Sequence, residues 1–192
     1  METRDILSAI STASEGRIVT LVGIDGPGGS GKSTLARHLR DGADGIKIVE
    51  GDDFYRPMPE ADRVALSARE GYERNFDWER LREQVLAPLR SHNSARFQRY
   101  DWPSASLAEW HDVAAEGIVI VEGVYALRPQ LRDFYDLTLF VDTPREERVR
   151  RMLDRNADDS ERITRWMAAE DWYLDNIDPR SYASVAVRGQ SL

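Results

Sequence analysis

Gly26, Gly31, Lys32 and Ser33 stand at the spacing G-x-x-x-x-G-K-S within the run Gly26-Pro-Gly-Gly-Ser-Gly-Lys-Ser33. Glycine tolerates positive φ, so Gly26, Gly28, Gly29 and Gly31, with Ser30 among them, can turn backbone N–H groups toward phosphate oxygens. A helix starting near Lys32 would aim the positive end of its dipole at the same place. Lys32 then supplies a point charge at the β- and γ-phosphates, Ser33 a hydroxyl for Mg²⁺, and Thr34 a contact to the α-phosphate. Lys32 stands out by type as well, because Lys47 is the only other lysine in the chain. The expected ligand is a nucleoside triphosphate with Mg²⁺.

Phosphoryl transfer to a hydroxyl needs a carboxylate to orient or deprotonate the acceptor and another to hold the metal, directly or through water. In an open parallel sheet, ligands sit beyond the carboxyl ends of the strands, which directs attention to acids that close apolar runs. Three places qualify: Asp52 with Asp53, Glu122, and Asp142. Asp52 is the candidate base and a metal-side acid. Glu122 follows four apolar residues like a Walker-B acid and is assigned to the metal with Ser33. Asp142 precedes Thr143-Pro144, which would supply an N-cap and an N1 proline, so helix capping competes there with a site role. For Asp53 a structural hydrogen bond is expected.

The elements that must position these groups follow from periodicity. Arg17–Ile24 is a nearly continuous β-branched run before the glycine loop, as in a strand buried on both faces. Leu35, Ala36 and Leu39 follow at helical spacing, so the order is strand, loop, helix. Further strands are expected over Ile46–Glu50, Gly117–Val121, Leu137–Val141 and, short, Val185–Val187. A strand or hairpin is expected over Ala95–Trp102. Residues 3–14 read as an amphipathic packing helix, and Asp77 can cap a helix with Leu81, Val85, Leu86 and Leu89 on one stripe. Residues 54–71, broken by prolines, show no strong periodicity and read as a mobile segment beside the site. Alternation of strands and helices predicts an α/β fold of the P-loop NTPase type: a parallel sheet flanked by helices on both faces, with a helical lid over about 150–166. Residues 1–192 read as one domain.

Arg148, Arg150, Arg151, Arg155, Arg162 and Arg165 are interleaved with acids on or after the helix beyond Asp142, and a solvated, salt-bridged face accounts for most of them. A lid needs one or two arginines over the transferring phosphoryl group, and Arg155 and Arg162 are the candidates. Tyr100, Trp102 and Trp110 could stack on a base or fill the core. The three histidines show no metal-ligand spacing.

Composition bounds the function. A formal net charge of −8 over 192 residues argues against a nucleic-acid backbone as main partner. No cysteine is present, which removes disulfide and thiolate chemistry. No apolar run reaches the roughly 20 residues a bilayer span needs, and no basic leader precedes a long apolar stretch. The expectation is a cytoplasmic protein with no membrane partner.

Gly23-Ile-Asp-Gly-Pro-Gly-Gly-Ser-Gly-Lys-Ser-Thr34, Asp52-Asp-Phe-Tyr55, Asn75-Phe-Asp77, Arg99-Tyr-Asp-Trp102, Val121-Glu-Gly-Val124 and Val141-Asp-Thr143 together resemble the uridine kinase family, in a superfamily with nicotinamide riboside kinase and phosphoribulokinase. The resemblance implies an ATP-dependent kinase acting on a hydroxyl of a small molecule, a nucleoside or another ribosyl or sugar-like compound. It implies Asp52 as catalytic base, Asp77 as the acid for ribose hydroxyls, and Tyr55, Tyr100 and Trp102 beside the acceptor. It also makes a homo-oligomer unsurprising. One departure stands out: Ala105 lies where uridine kinases resemble one another in a base-reading histidine. A nucleotide-dependent switch without an acceptor is the competing class, but no Asn-Lys-x-Asp motif is present.

Overall fold

The computed structural model describes residues 2–155 and 160–189. Its centre is a five-stranded sheet in the order β2-β5-β1-β6-β7, built from β1 (Val19–Asp25), β2 (Ile46–Glu50), β5 (Gly117–Glu122), β6 (Leu137–Asp142) and β7 (Val185–Arg188). Every pairing within it is parallel. β1 lies between β5 and β6, so the chain moves to one side of β1 for β2 and to the other for β6. That reversal opens a crevice at the carboxyl ends of the strands.

β1 is buried along its whole length because successive side chains enter two different cores. Val19 and Leu21 pack on one face with Val49, Val119 and Val121. Val22 and Ile24 pack on the other with Ile120, Leu139 and Val141. The second face is covered by α1 (Thr3–Ser14), which buries Ile6 and Ile10, and by α2 (Lys32–Gly42), which buries Leu35, Ala36 and Leu39. Full burial of each isoleucine of α1 is worth about 1.5–3 kcal/mol.

The first face carries the residues expected to be irregular. Two short helices, α3 (Glu60–Val64) and α4 (Ala68–Arg74), replace the expected irregular run over 54–71. The signal for α4 is local: Ser67 and Glu70 form a reciprocal capping box, which a reading based on apolar spacing passes over. Asp77 caps α5 (Trp78–Leu81) by accepting the Arg80 N–H. That helix continues through a π-helical turn, Arg82–Leu86, into α6 (Ala87–Arg90). Pro88 lies just beyond; without an N–H it cannot bond the carbonyl four residues back, and the wider turn relieves its crowding.

β3 (Ala95–Asp101) and β4 (Ser106–Val113) form a separate antiparallel hairpin. Ala105 lies in its connection at φ 49°. After β6 come α7 (Arg145–Arg155) and α8 (Ser160–Ile177). α8 packs along α4, where Gly71 allows the close approach, since a Cβ there would stand 2.9 Å from the Cβ of Ala169.

Two expectations at the start of α7 are corrected. The helix begins at Arg145, so Pro144 precedes it, and the Thr143 hydroxyl donates instead to the carbonyl of Ser30 at 2.9 Å. Asp142 does not cap the helix either; it pairs with Arg180 at 2.7 Å. Both residues therefore tie the end of β6 to other segments. Part of the expected lid, residues 156–159, lies outside the described residues.

Candidate active site

β1 ends at Asp25, and the loop to α2 crosses the crevice. Gly26, Gly29 and Gly31 take φ of 150°, 75° and 102°, backbone states that residues with a Cβ rarely adopt. At Gly26 the space is closed as well, because a Cβ would stand 2.5 Å from the carbonyl of Val141. Lys32 is buried at the first turn of α2, and its Nζ donates to the carbonyl of Pro27 at 3.1 Å, curling across the loop.

Three cavities follow the loop. One of about 500 Å³ is bounded by Glu2 and by Thr3, Arg4 and Ile6 of α1, by Gly31 and Leu35, and by the ends of β6 and β7. A second, about 200 Å³, lies over Gly29, Gly31, Lys32, Ser33 and Thr34, with Arg37 and Arg155 at its rim. A third, about 220 Å³, shares Gly29, Lys32, Ser33 and Arg155 with the second and continues past Asp52, Glu122, Tyr55, Arg162, Trp166 and Glu170. The first and second meet at Gly31. Together they trace a path from one side of the loop, over it, and into the crevice.

The acids arrive by a repeated device. Val49-Glu-Gly51 and Val121-Glu-Gly123 end neighbouring strands in register, Glu50 opposite Glu122, and their glycines touch through the backbone: a Cβ on Gly51 would stand 2.9 Å from the Cα of Gly123. This contact brings Asp52 beside Glu122. The Glu122 carboxylate lies beside Ser33 and faces Lys32; burial nevertheless pushes its carboxyl up, with Lys32 and Ser33 opposing. Asp52 is reached by solvent through the mouth of the crevice. Protein still crowds it, so lost hydration raises its carboxyl, Lys32 opposes that shift and Glu50 adds to it. Asp53 points away from this group toward the hairpin residues His111 and Arg99, and partial burial pushes it up to about 6.

Among the described residues no group of three or more His, Cys, Asp or Glu side chains could hold a metal by itself. Mg²⁺ retains waters and binds through one or two protein oxygens plus substrate phosphates. The hydroxyl of Ser33 beside Glu122, with Asp52 across the crevice, is such a donor set. The φ > 0 glycines and Lys32 likewise fit a triphosphate.

Tyr55 joins this crevice to an aromatic group. Trp166 of α8 stacks on it at 5.5 Å and 18°, and Trp102 meets it at 4.6 Å. Tyr100 packs edge-on against Trp102 at 5.0 Å and is buried, its hydroxyl 3.4 Å from Nη2 of Arg63. Asp77 is brought close by backbone pairing, Asp77 N to Phe54 O at 2.7 Å and Arg56 N to Asn75 O at 2.8 Å. Its carboxylate serves the α5 cap and faces Arg56 at 3.4 Å, so Asp77, Tyr100 and Trp102 stand behind Tyr55 and do not line the 220 Å³ crevice. Arg155 and Arg162 both border it, and Arg162 lies 5.7 Å over the Trp166 ring.

Four further residues act on the loop. Asp25 is fully buried and accepts hydrogen bonds from Gly26 N at 2.5 Å, Leu127 N at 2.7 Å and the Tyr173 hydroxyl at 2.7 Å. Arg151 donates to the carbonyl of Gly29 at 3.2 Å and is aimed by Glu147. Arg148 is buried beside Gly29, and Glu170 accepts the Gly28 N–H at 2.8 Å. Asp25 ends an apolar strand as Glu122 does and was open to the same argument. Glu170 interrupts the apolar stripe of Ile163, Trp166, Met167 and Tyr173 on α8, a signal that only the structure gives meaning to.

Residues 21–173 match the model of the phosphoribulokinase / uridine kinase family. A uridine kinase of Leuconostoc citreum is 30% identical over 171 residues, which cover 83% of this chain and 78% of that protein. Among solved structures, one described as a possible uridine kinase from Bacillus stearothermophilus superposes with a TM-score of 0.71 at 25% identity, covering 97% of this chain and 99% of the other. A structure described as a candidate fructose transport system kinase from Silicibacter sp. TM1040 shares the fold, with a TM-score of 0.70 at 20% identity over 97% and 99% of the two chains.

Proposed function

From the chain's membership of the phosphoribulokinase / uridine kinase family, we propose that it moves the γ-phosphoryl group of ATP to a hydroxyl of a nucleoside or a related ribosyl compound, with Asp52 as base. The observation that carries this reading is the shared crevice. Lys32 and Ser33 of the phosphate loop face Asp52 and Glu122 across about 220 Å³, so donor and acceptor groups meet in one enclosure.

In this reading Gly26 to Thr34 hold the triphosphate through backbone N–H groups, with the base in the 500 Å³ cavity against α1 and β7. Asp52 takes the proton of the acceptor hydroxyl as its oxygen bonds the γ-phosphorus and the bond to ADP breaks. Lost hydration moves the Asp52 carboxyl upward, the direction that suits a general base. Lys32, Arg155 and Arg162 meet the charge on the transferring group. Mg²⁺, held by Ser33 with Glu122 and Asp52, would supply charge neutralisation at the phosphates. On the acceptor side Tyr55 lines the crevice, while Trp102, Tyr100 and Asp77 stand behind it and would serve the acceptor's base and ribose hydroxyls once Asp77 is released from Arg56.

Ala105 lies exposed in the hairpin connection, and Tyr55 and Trp166 are the aromatic side chains lining the crevice. The proposal includes a single domain whose lid spans about 150–166, working in the cytoplasm where ATP is supplied.

A screen of γ-labelled ATP against nucleosides, nicotinamide riboside and sugars tests the reading, with Asp52→Asn as control. Label should enter at least one acceptor, and the variant should lose transfer by about 10²- to 10⁴-fold while still binding ATP. Undiminished turnover in Asp52→Asn would remove the base assignment, and absence of any labelled acceptor would favour a nucleotide switch.

A further inference from the structure

The phosphate loop already holds a carboxyl group of the protein's own, raised by burial while Lys32, the Gly28 N–H and Arg148 oppose that shift. Glu170 projects from α8 into the crevice, and its Oε2 accepts the Gly28 N–H at 2.8 Å. The carboxylate lies flat against the loop: a Cβ on Gly28 would stand 3.0 Å from Oε1 and 3.4 Å from Oε2. The side chain is only 7% exposed. Its nearest cation besides Lys32 is Arg148, whose Nη1 stands 3.8 Å from the same Oε2.

Arg148 is equally buried, at 5% exposure of its side chain, yet its Nε and Nη1 make no hydrogen bond. Buried donors left unmade cost about 1–3 kcal/mol, so the arrangement is only half satisfied. Nη1 at 3.8 Å is beyond hydrogen-bond reach of Oε2, so a larger oxyanion there, with oxygens on more than one side, would satisfy both the Gly28 N–H and Arg148. A phosphate oxygen has that chemistry, and it cannot share the position with a carboxylate.

Resting on the donor reading given above, we propose that Glu170 is a place-holder in the phosphate loop, displaced by the transferring end of the triphosphate, and that Arg148 then passes from Glu170 to phosphate. Neither residue belongs to the glycine-lysine motif. Glu170 also sits one turn from Trp166, which stacks on Tyr55.

Titration calorimetry of the full chain with Mg-ATP, and separately with pyrophosphate, tests this. Removing the negative charge in Glu170→Gln should tighten both ligands about tenfold, a usual size for a coupling of this kind. Glu170→Asp, which withdraws the carboxylate from Gly28, should tighten them in the same direction and guards against a variant that fails to fold. Arg148→Met should weaken both about tenfold and stay weaker in the Glu170→Gln background.

Unchanged or weaker binding in both Glu170 variants overturns the place-holder. If the Arg148→Met loss vanishes once Glu170 is glutamine, the hand-over to phosphate is wrong, because Arg148 then acts only through the carboxylate. Failure of the unaltered chain to bind either ligand brings down the donor reading and, with it, this one.

Discussion

Glu147 shows how a side chain outside the motif shapes the phosphate loop. Its carboxylate accepts from Arg150 and, at 2.8 Å, from Arg151, whose other nitrogen donates to the carbonyl of Gly29. Those two arginines hold the Glu147 carboxyl down to about 2. A depressed folded value means that the ionised pair stabilises the native state above the ordinary carboxylate range, and that this contribution fades as pH falls through about 2. Thermal midpoints of the unaltered chain and Glu147→Gln should therefore differ by a constant margin above about pH 4.5 and converge on acidification. A margin that persists into acid would show that the pair with Arg151 contributes nothing through charge. At this scale the sequence was legible wherever chemistry follows from spacing, as for Gly26 to Ser33, or from an acid closing an apolar strand, as for Asp52 and Glu122. It was silent on Glu170 and set Arg148 among the solvated, salt-bridged arginines, because a charge inside a helical stripe reads as a surface residue until the fold shows what covers it.

The strand ends carry the next level of organisation. β2 and β5 finish with the same tripeptide in register, and Gly51 and Gly123 meet backbone to backbone. No flexible side chain stands between them to give way, so a methyl group at either place must push the strand ends apart. Gly123→Ala should cost about 1–3 kcal/mol by overpacking, read as a lower urea midpoint with an unchanged slope. It should also depress phosphoryl transfer more than ATP binding, because it separates Glu122 from Asp52 while leaving the loop in place. Equal loss of both would locate the damage in the loop itself. The strands were readable because a parallel sheet covered on both faces demands continuous apolar runs. The first face was harder: α3 is a single turn and a half, α4 is announced by the Ser67-Glu70 capping box, and α5 to α6 hides a π-helical turn ahead of Pro88. Short helices carry too little periodicity to be separated from loops, and Thr143-Pro144 looked like a helix start although the hydroxyl serves Ser30.

Across the whole molecule, the parts of the site lie far apart in the chain and are drawn together at Asp25. One buried carboxylate receives the N–H of Gly26 in the loop, the N–H of Leu127 beyond β5, and the hydroxyl of Tyr173 on α8. Burial raises its carboxyl while these three donors oppose that shift, so the group is tolerated inside only through its partners. Tyr173 is itself packed between Tyr72 and Tyr125, at 5.3 and 5.0 Å, which extends the connection to α4 and to the segment after β5. Removing the carboxylate strands three buried donors at once. Asp25→Ala is accordingly expected to lower global stability by about 3 kcal/mol or more, since each unsatisfied buried group costs about 1–3 kcal/mol. Because the loop's first N–H and the helix bearing Glu170 share this anchor, nucleotide affinity should fall together with stability. Asp25→Asn keeps one acceptor and should fall between the two. Urea unfolding followed by tryptophan fluorescence measures the first effect and calorimetry with Mg-ATP the second. If stability drops while affinity holds, Asp25 supports only the core beneath the loop, and the coupling of loop to α8 must run through Glu170 alone.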